Sequence, residues 1–69
     1  MFNEERFNAE LKKLRMSVPE LAKHLGISKV TLYRKIYGQS DFYRDEIQKC
    51  RELFGKDAAD KIFFDTEVA

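Results

Sequence analysis

Residues 17–38 read SVPELAKHLGISKVTLYRKIYG, and the spacing inside this stretch decides the fold. Ala22, Gly26, Ile27 and Leu32 stand at relative positions 1, 5, 6 and 11. A small side chain at Ala22 lets a neighbouring helix approach closely. Gly26 permits a bend of roughly 90–120°, and Ile27 and Leu32 fill the angle it opens. Ser17 and Glu20 form the two ends of a capping box. Pro19 falls in the first helical turn, where its missing N–H costs nothing, and Gly26 suits the left-handed conformation of a sharp helix end. Ser28 caps the next helix, Leu32 and Ile36 pack inward four residues apart, and Gly38 ends it. Two short helices joined by a tight turn make a helix-turn-helix over 17–38, an arrangement that places its second helix in the major groove of DNA.

Outward from this stretch the pattern stays helical. Asn3 is placed as an N-cap, with Glu4 and Glu5 at the positive end of the helix dipole. Phe7, Leu11 and Leu14 recur at i, i+4 and i+7 and are expected on one core-facing stripe. On the far side, Phe42 is expected to anchor the connection to the core. A fourth helix is expected over about 43–54, with Ile47, Cys50 and Leu53 or Phe54 inward, and Gly55 stops it. Asp57 is expected to cap a fifth helix that buries Ala59, Ile62 and Phe63. The final DTEVA is expected to fray. No strand alternation, repeat or low-complexity segment is present. The pattern predicts a compact all-α, five-helix single domain over 1–69.

Sixty-nine residues bury only a small core, so a dimer would be a natural supplement. A single cysteine cannot form an internal disulfide, which fits a reducing cytoplasm. MFNEERF is acidic and lacks the apolar run of a signal peptide, and no stretch approaches the roughly 20 apolar residues of a membrane span. The net charge of +1 hides a segregation. Residues 11–39 carry Lys12, Lys13, Arg15, Lys23, Lys29, Arg34 and Lys35 against Glu20 alone, a net +6. Residues 1–10 carry −2 and residues 40–69 carry −3. A basic centre between acidic flanks suits one surface facing a polyanion, although ordinary solvated charge gives the same tally.

Catalytic and metal chemistry find little support. One His and one Cys fall short of the three or four ligands of a zinc site. His24 is expected exposed, and Cys50 is expected as a small buried core residue. No nucleophile–base pair, glycine-rich phosphate loop or paired carboxylate stands out, and Asp45–Glu46 is taken as first-turn helix charge. No catalytic residue, metal or cofactor is therefore assigned, and enzymatic activity is not expected.

The segment ELAKHLGISKVTLYRKIYG resembles the DNA-binding segment of the phage repressor and Cro superfamily, of the xenobiotic-response-element type. The resemblance rests on Glu20-Leu21-Ala22, Leu25-Gly26-Ile27-Ser28 and Thr31-Leu32, with LKKLR at 11–15 similar to that family's first helix. DFYRDEIQKCRELFG and the terminal KIFF are similar to a subfamily of small Cro-like bacteriophage proteins. The resemblance implies a lambda-repressor-like domain with the helix-turn-helix at its second and third helices. It implies a cytoplasmic, nucleoid-associated transcriptional regulator of a bacterial host, acting as a repressor on a near-palindromic operator in double-stranded DNA. It implies a weak homodimer and no membrane partner. Many relatives carry Gln after the cap of the second helix, where it holds a phosphate, but Val18 and Pro19 stand there in this chain.

By the same resemblance, residues 29–34 enter the groove. Lys29, Val30, Tyr33 and Arg34 are the expected base contacts. Ser17, Ser28, Thr31, Lys35, Gln39, Ser40 and Arg44 are the expected phosphate contacts, with simple capping the competing role for the serines. Phe63 and Phe64 are dimer-interface candidates, with core packing expected for one of them. The acidic C-terminal half and this Phe pair motivate an alternative, a protein-binding antirepressor module whose partner is a repressor. An accessory architectural protein of phage recombination is a third possibility.

Overall fold

The computed structural model of the protein describes residues 2–64. It is compact and all-helical, with α1 (Glu4–Lys13), α2 (Val18–Leu25), α3 (Lys29–Ile36), α4 (Arg44–Phe54) and α5 (Lys56–Phe63), and no strand among the described residues. No helix of this set is long and apolar enough to cross a membrane.

Capping side chains set the helix starts. The Asn3 side chain accepts from the Arg6 N–H at 3.0 Å. Ser17 accepts from the Glu20 N–H at 3.3 Å, while Glu20 accepts from the Ser17 N–H at 3.0 Å, which completes the capping box. The bonds that the Ser17 N–H and the Ser17 hydroxyl donate to the charged carboxylate hold the Glu20 pKa below its ordinary value. Ser28 accepts from the Thr31 N–H at 3.1 Å.

The first three helices all stop by one device, a left-handed residue that turns the chain back on its last carbonyls. At the end of α2, Gly26 has φ +76°, and the Ile27 N–H donates to the Ala22 carbonyl at 3.0 Å. At the end of α3, Gly38 repeats this, with the Gln39 N–H donating to the Arg34 carbonyl at 2.8 Å. At the end of α1 the residue is not glycine. Arg15 takes φ +55° so that the Met16 N–H reaches the Leu11 carbonyl at 2.9 Å. A Cβ in that region is strained by roughly 1–2 kcal/mol.

The core gathers Phe7 and Leu11 from α1, Leu21, Ala22 and Leu25 from α2, Leu32 and Ile36 from α3, Cys50 from α4, and Ala59, Ile62 and Phe63 from α5. One end is closed by aromatic rings. Phe2 stacks on Phe42 at 5.1 Å between centroids, and Phe42 meets Phe63 edge-on at 4.9 Å. Beside them the Asn3 N–H donates to the Ile62 carbonyl at 2.6 Å, tying the start of α1 to α5. The Arg51–Asp60 ion pair at 2.9 Å ties α4 to α5.

Some sequence expectations are corrected. Leu14 does not join the core: α1 ends at Lys13, so Leu14 lies in the turn and is exposed. Asp57 does not cap α5; Gly55 occupies the cap position and Asp57 lies in the first turn. Of the Phe63–Phe64 pair, the member expected in the core is Phe63, 7% exposed and packed on Phe2 and Phe42, which removes it as an interface candidate and leaves only Phe64 exposed. The DTEVA segment lies outside the described residues.

Two substitutions separate backbone strain from packing. A Cβ at Gly26 meets no atom within 4 Å, so Gly26→Ala should cost only the left-handed penalty, about 1–2 kcal/mol. Arg15→Gly should relieve the same strain, less the entropy glycine adds to the unfolded chain, and stabilise by about 0.5–1 kcal/mol. Urea unfolding midpoints of the two variants moving in opposite directions would bear this out.

Candidate nucleic-acid interface

Helix α3 has two chemically different sides. At about 100° per residue, Lys29, Val30, Tyr33, Arg34 and Tyr37 fall on one arc, and all five are exposed. Leu32, Lys35 and Ile36 fall opposite and are buried. The helix carries no acidic residue. Its inner side is pinned by apolar packing of Leu32 and Ile36, so the outer side presents two cations, a β-branched aliphatic and two phenols to solvent. The Tyr33 and Tyr37 rings stack on one another, 6.0 Å between centroids and 17° from parallel.

Around this face the expected phosphate contacts divide. The Ser28 hydroxyl donates to Thr31 Oγ1 at 2.8 Å while capping the helix, and Thr31 is half-buried. The Ser17 hydroxyl donates to Glu20 at 3.0 Å. Gln39 and Ser40 have exposed side chains, but both of their backbone N–H groups are spent on the Arg34 carbonyl, at 2.8 and 3.3 Å. Only their side chains remain to meet a ligand. Arg44 is exposed at the start of α4 and lines a surface groove with Ile47, Gln48, Arg51 and Phe64. Phe64, 45% exposed, lies 5.7 Å from the Arg51 guanidinium.

Lys35 is a correction. It is 4% exposed, and its ammonium donates to both oxygens of Glu46, at 2.6 and 2.8 Å. A lysine committed in this way has no reach to a phosphate. Glu46 is equally enclosed, so it is no mere first-turn surface charge. Its carboxylate also accepts from the Tyr43 N–H at 2.8 Å, and the Tyr43 ring lies 3.8 Å from the Lys35 ammonium. Each charge is thus met from several sides, as burial of an ion pair requires. The pair binds the inner side of α3 to the first turn of α4.

Sequence reasoning missed Tyr37, although its position four residues after Tyr33 was the available signal. It missed the Lys35–Glu46 pair, for which no local pattern exists. Cys50 is fully enclosed, and burial, aided by the Glu46 charge, pushes its thiol up to about 12. The thiol therefore stays protonated at neutral pH and is no nucleophile. Among the described residues no cluster of three or more His, Cys, Asp or Glu side chains could hold a metal ion.

The pair yields a sharp stability test. Lys35→Met or Glu46→Gln alone leaves a buried charge without its counter-ion and should cost about 3–5 kcal/mol. That approaches the whole stability of a domain this size, roughly 3–10 kcal/mol. Lys35→Met combined with Glu46→Leu should recover most of the loss. Thermal unfolding of the three variants decides the point; a loss in the double variant equal to the sum of the two single losses would mean the pair is not coupled.

Comparison with known proteins yields no matching family model, no matching curated protein and no matching solved structure.

Proposed function

We propose that the protein is a sequence-specific DNA-binding transcriptional regulator that presents α3 to the major groove of duplex DNA. The observation that carries this reading is the outward face of α3: Lys29, Val30, Tyr33 and Arg34 are exposed together on a helix without acids. Lys29 has the chemistry to donate to guanine O6 or N7, and Val30 to meet a thymine methyl. Arg34, one turn further on, suits a bidentate contact to guanine or a clamp on a phosphate. The short, sharply turned α2–α3 unit, with Gly26 left-handed between them, supports treating the pair as a helix-turn-helix. On this reading the protein is a Cro-like repressor that occupies an operator and excludes polymerase. It is a binder and not an enzyme.

A dimer would place two copies of α3 one DNA turn apart, about 34 Å, on a near-palindromic site. Phe64 and the groove beside it are the surface that supports this pairing. The same exposed ring also favours the second reading, a module that binds a repressor protein instead of DNA.

Two measurements test these assignments. Lys29→Ala with Arg34→Ala should abolish the specific band in gel shift against DNA from the protein's own gene neighbourhood, with helical circular dichroism unchanged. Specific binding that survives this double change refutes α3 as the reading helix. Capture of a repressor, without salt-sensitive DNA binding, would instead favour the protein-binding module. Phe64→Ser should lower the sedimentation mass towards that of a monomer and weaken operator binding. A parent chain already monomeric when bound to DNA would remove the dimer.

A further inference from the structure

We infer that Tyr33 and Tyr37 act on duplex DNA as one unit, with Tyr37 bonding the phosphate wall of the groove while its ring holds Tyr33 against the base edges. The inference rests on the major-groove reading of α3 and names a contact residue which that reading does not contain. Tyr37 is 61% exposed and lies near the middle of the outward arc of α3, flanked by Tyr33 and Val30. The aromatic partner of this exposed ring is Tyr33.

Helix geometry puts the two rings at different depths. Side chains on a helix lean towards its N-terminus, so the Tyr37 ring covers the turn that carries Tyr33. This is the 6.0 Å stack, and it restricts Tyr33 to one direction. At ~1.5 Å per residue, Tyr37 lies about 12 Å along the axis from Lys29. The major groove is about 12 Å wide. With Lys29 and Val30 over the base edges, the backbone at Tyr37 is therefore past them and on the side of the sugar–phosphate strand. A phenol there donates its O–H to a phosphate oxygen. The backbone N–H groups of Gln39 and Ser40, next along the chain, are already spent on Arg34, which leaves this wall to side chains.

The experiment uses the full chain and a duplex that the parent protein selects from randomised DNA. Tyr37→Phe keeps the ring and removes the hydroxyl. It should weaken binding about ten- to a hundred-fold with the base preference intact. Tyr37→Ala should weaken binding further and broaden the preference at the base pair that Tyr33→Ala also relaxes. Because a phenol displaces no counter-ion, neither change should alter the slope of log affinity against log salt, whereas Lys29→Ala or Arg34→Ala should reduce it by about one. Parent-like affinity in both Tyr37 variants overturns the inference while leaving the major-groove reading standing. If those variants lose self-association and keep DNA affinity, the rings belong to a protein contact and the inference falls. Failure of the parent chain to bind any duplex overturns both.

Discussion

The placement of α3 depends on a buried ion pair. Apolar contacts such as those of Leu32 and Ile36 hold a helix against a core but are tolerant of rotation and sliding. The Lys35–Glu46 contact is not, because both oxygens of one carboxylate bond a single ammonium while the same carboxylate accepts the Tyr43 N–H. Desolvating two charges costs several kcal/mol per ion, a penalty offset only when the geometry is good. Turning α3 about its axis would break the pair, so the pair keeps Leu32 inside and the Lys29–Tyr33–Arg34 side outside. It also makes the start of α4 part of the same rigid unit. The binding surface proposed for α3 inherits its orientation from two residues that it does not expose.

Much of the fold was legible because it is written in short-range signals. Ser17 with Glu20, Ser28, Gly26 and Gly38 act through bonds to residues three to five places away, and each lies where local chemistry puts it. The four-residue spacing likewise sorted Leu32 and Ile36 inward. The failures have the opposite character. Lys35 reads as a surface cation because its partner is eleven positions away, and nothing in the neighbourhood of either residue announces the other. Phe2 belongs to no helical stripe, yet its ring closes the core against Phe42 and Phe63. Arg15 reads as one cation of the basic centre, and its left-handed backbone is visible only once Met16 is seen to bond Leu11.

The candidate interface was legible to a similar depth. The exposure of Lys29, Val30, Tyr33 and Arg34 follows from the helical period once Leu32 and Ile36 are placed inside. The surrounding hydroxyls were harder, since Ser17, Ser28 and Thr31 serve caps and each other. Pairing Lys35 also changes the electrostatics: one of the seven cations of residues 11–39 is neutralised by an acid from the C-terminal half. The positive field of the centre is therefore narrower than its charge tally implies, and Lys29 and Arg34 supply it on α3.

The closure of Phe2 on Phe63 and of Asn3 on Ile62 bears on how the chain is made. Translation proceeds at ~5–20 residues per second, so roughly 3–12 s separate the two ends of that contact. Small helical domains fold in microseconds to milliseconds once their contacts are available. The rings of Phe2 and Phe7 must therefore wait, uncovered, for α5 to leave the ribosome. For that interval the nascent chain offers an aromatic surface that the finished protein conceals, and it is then that a chaperone would find it.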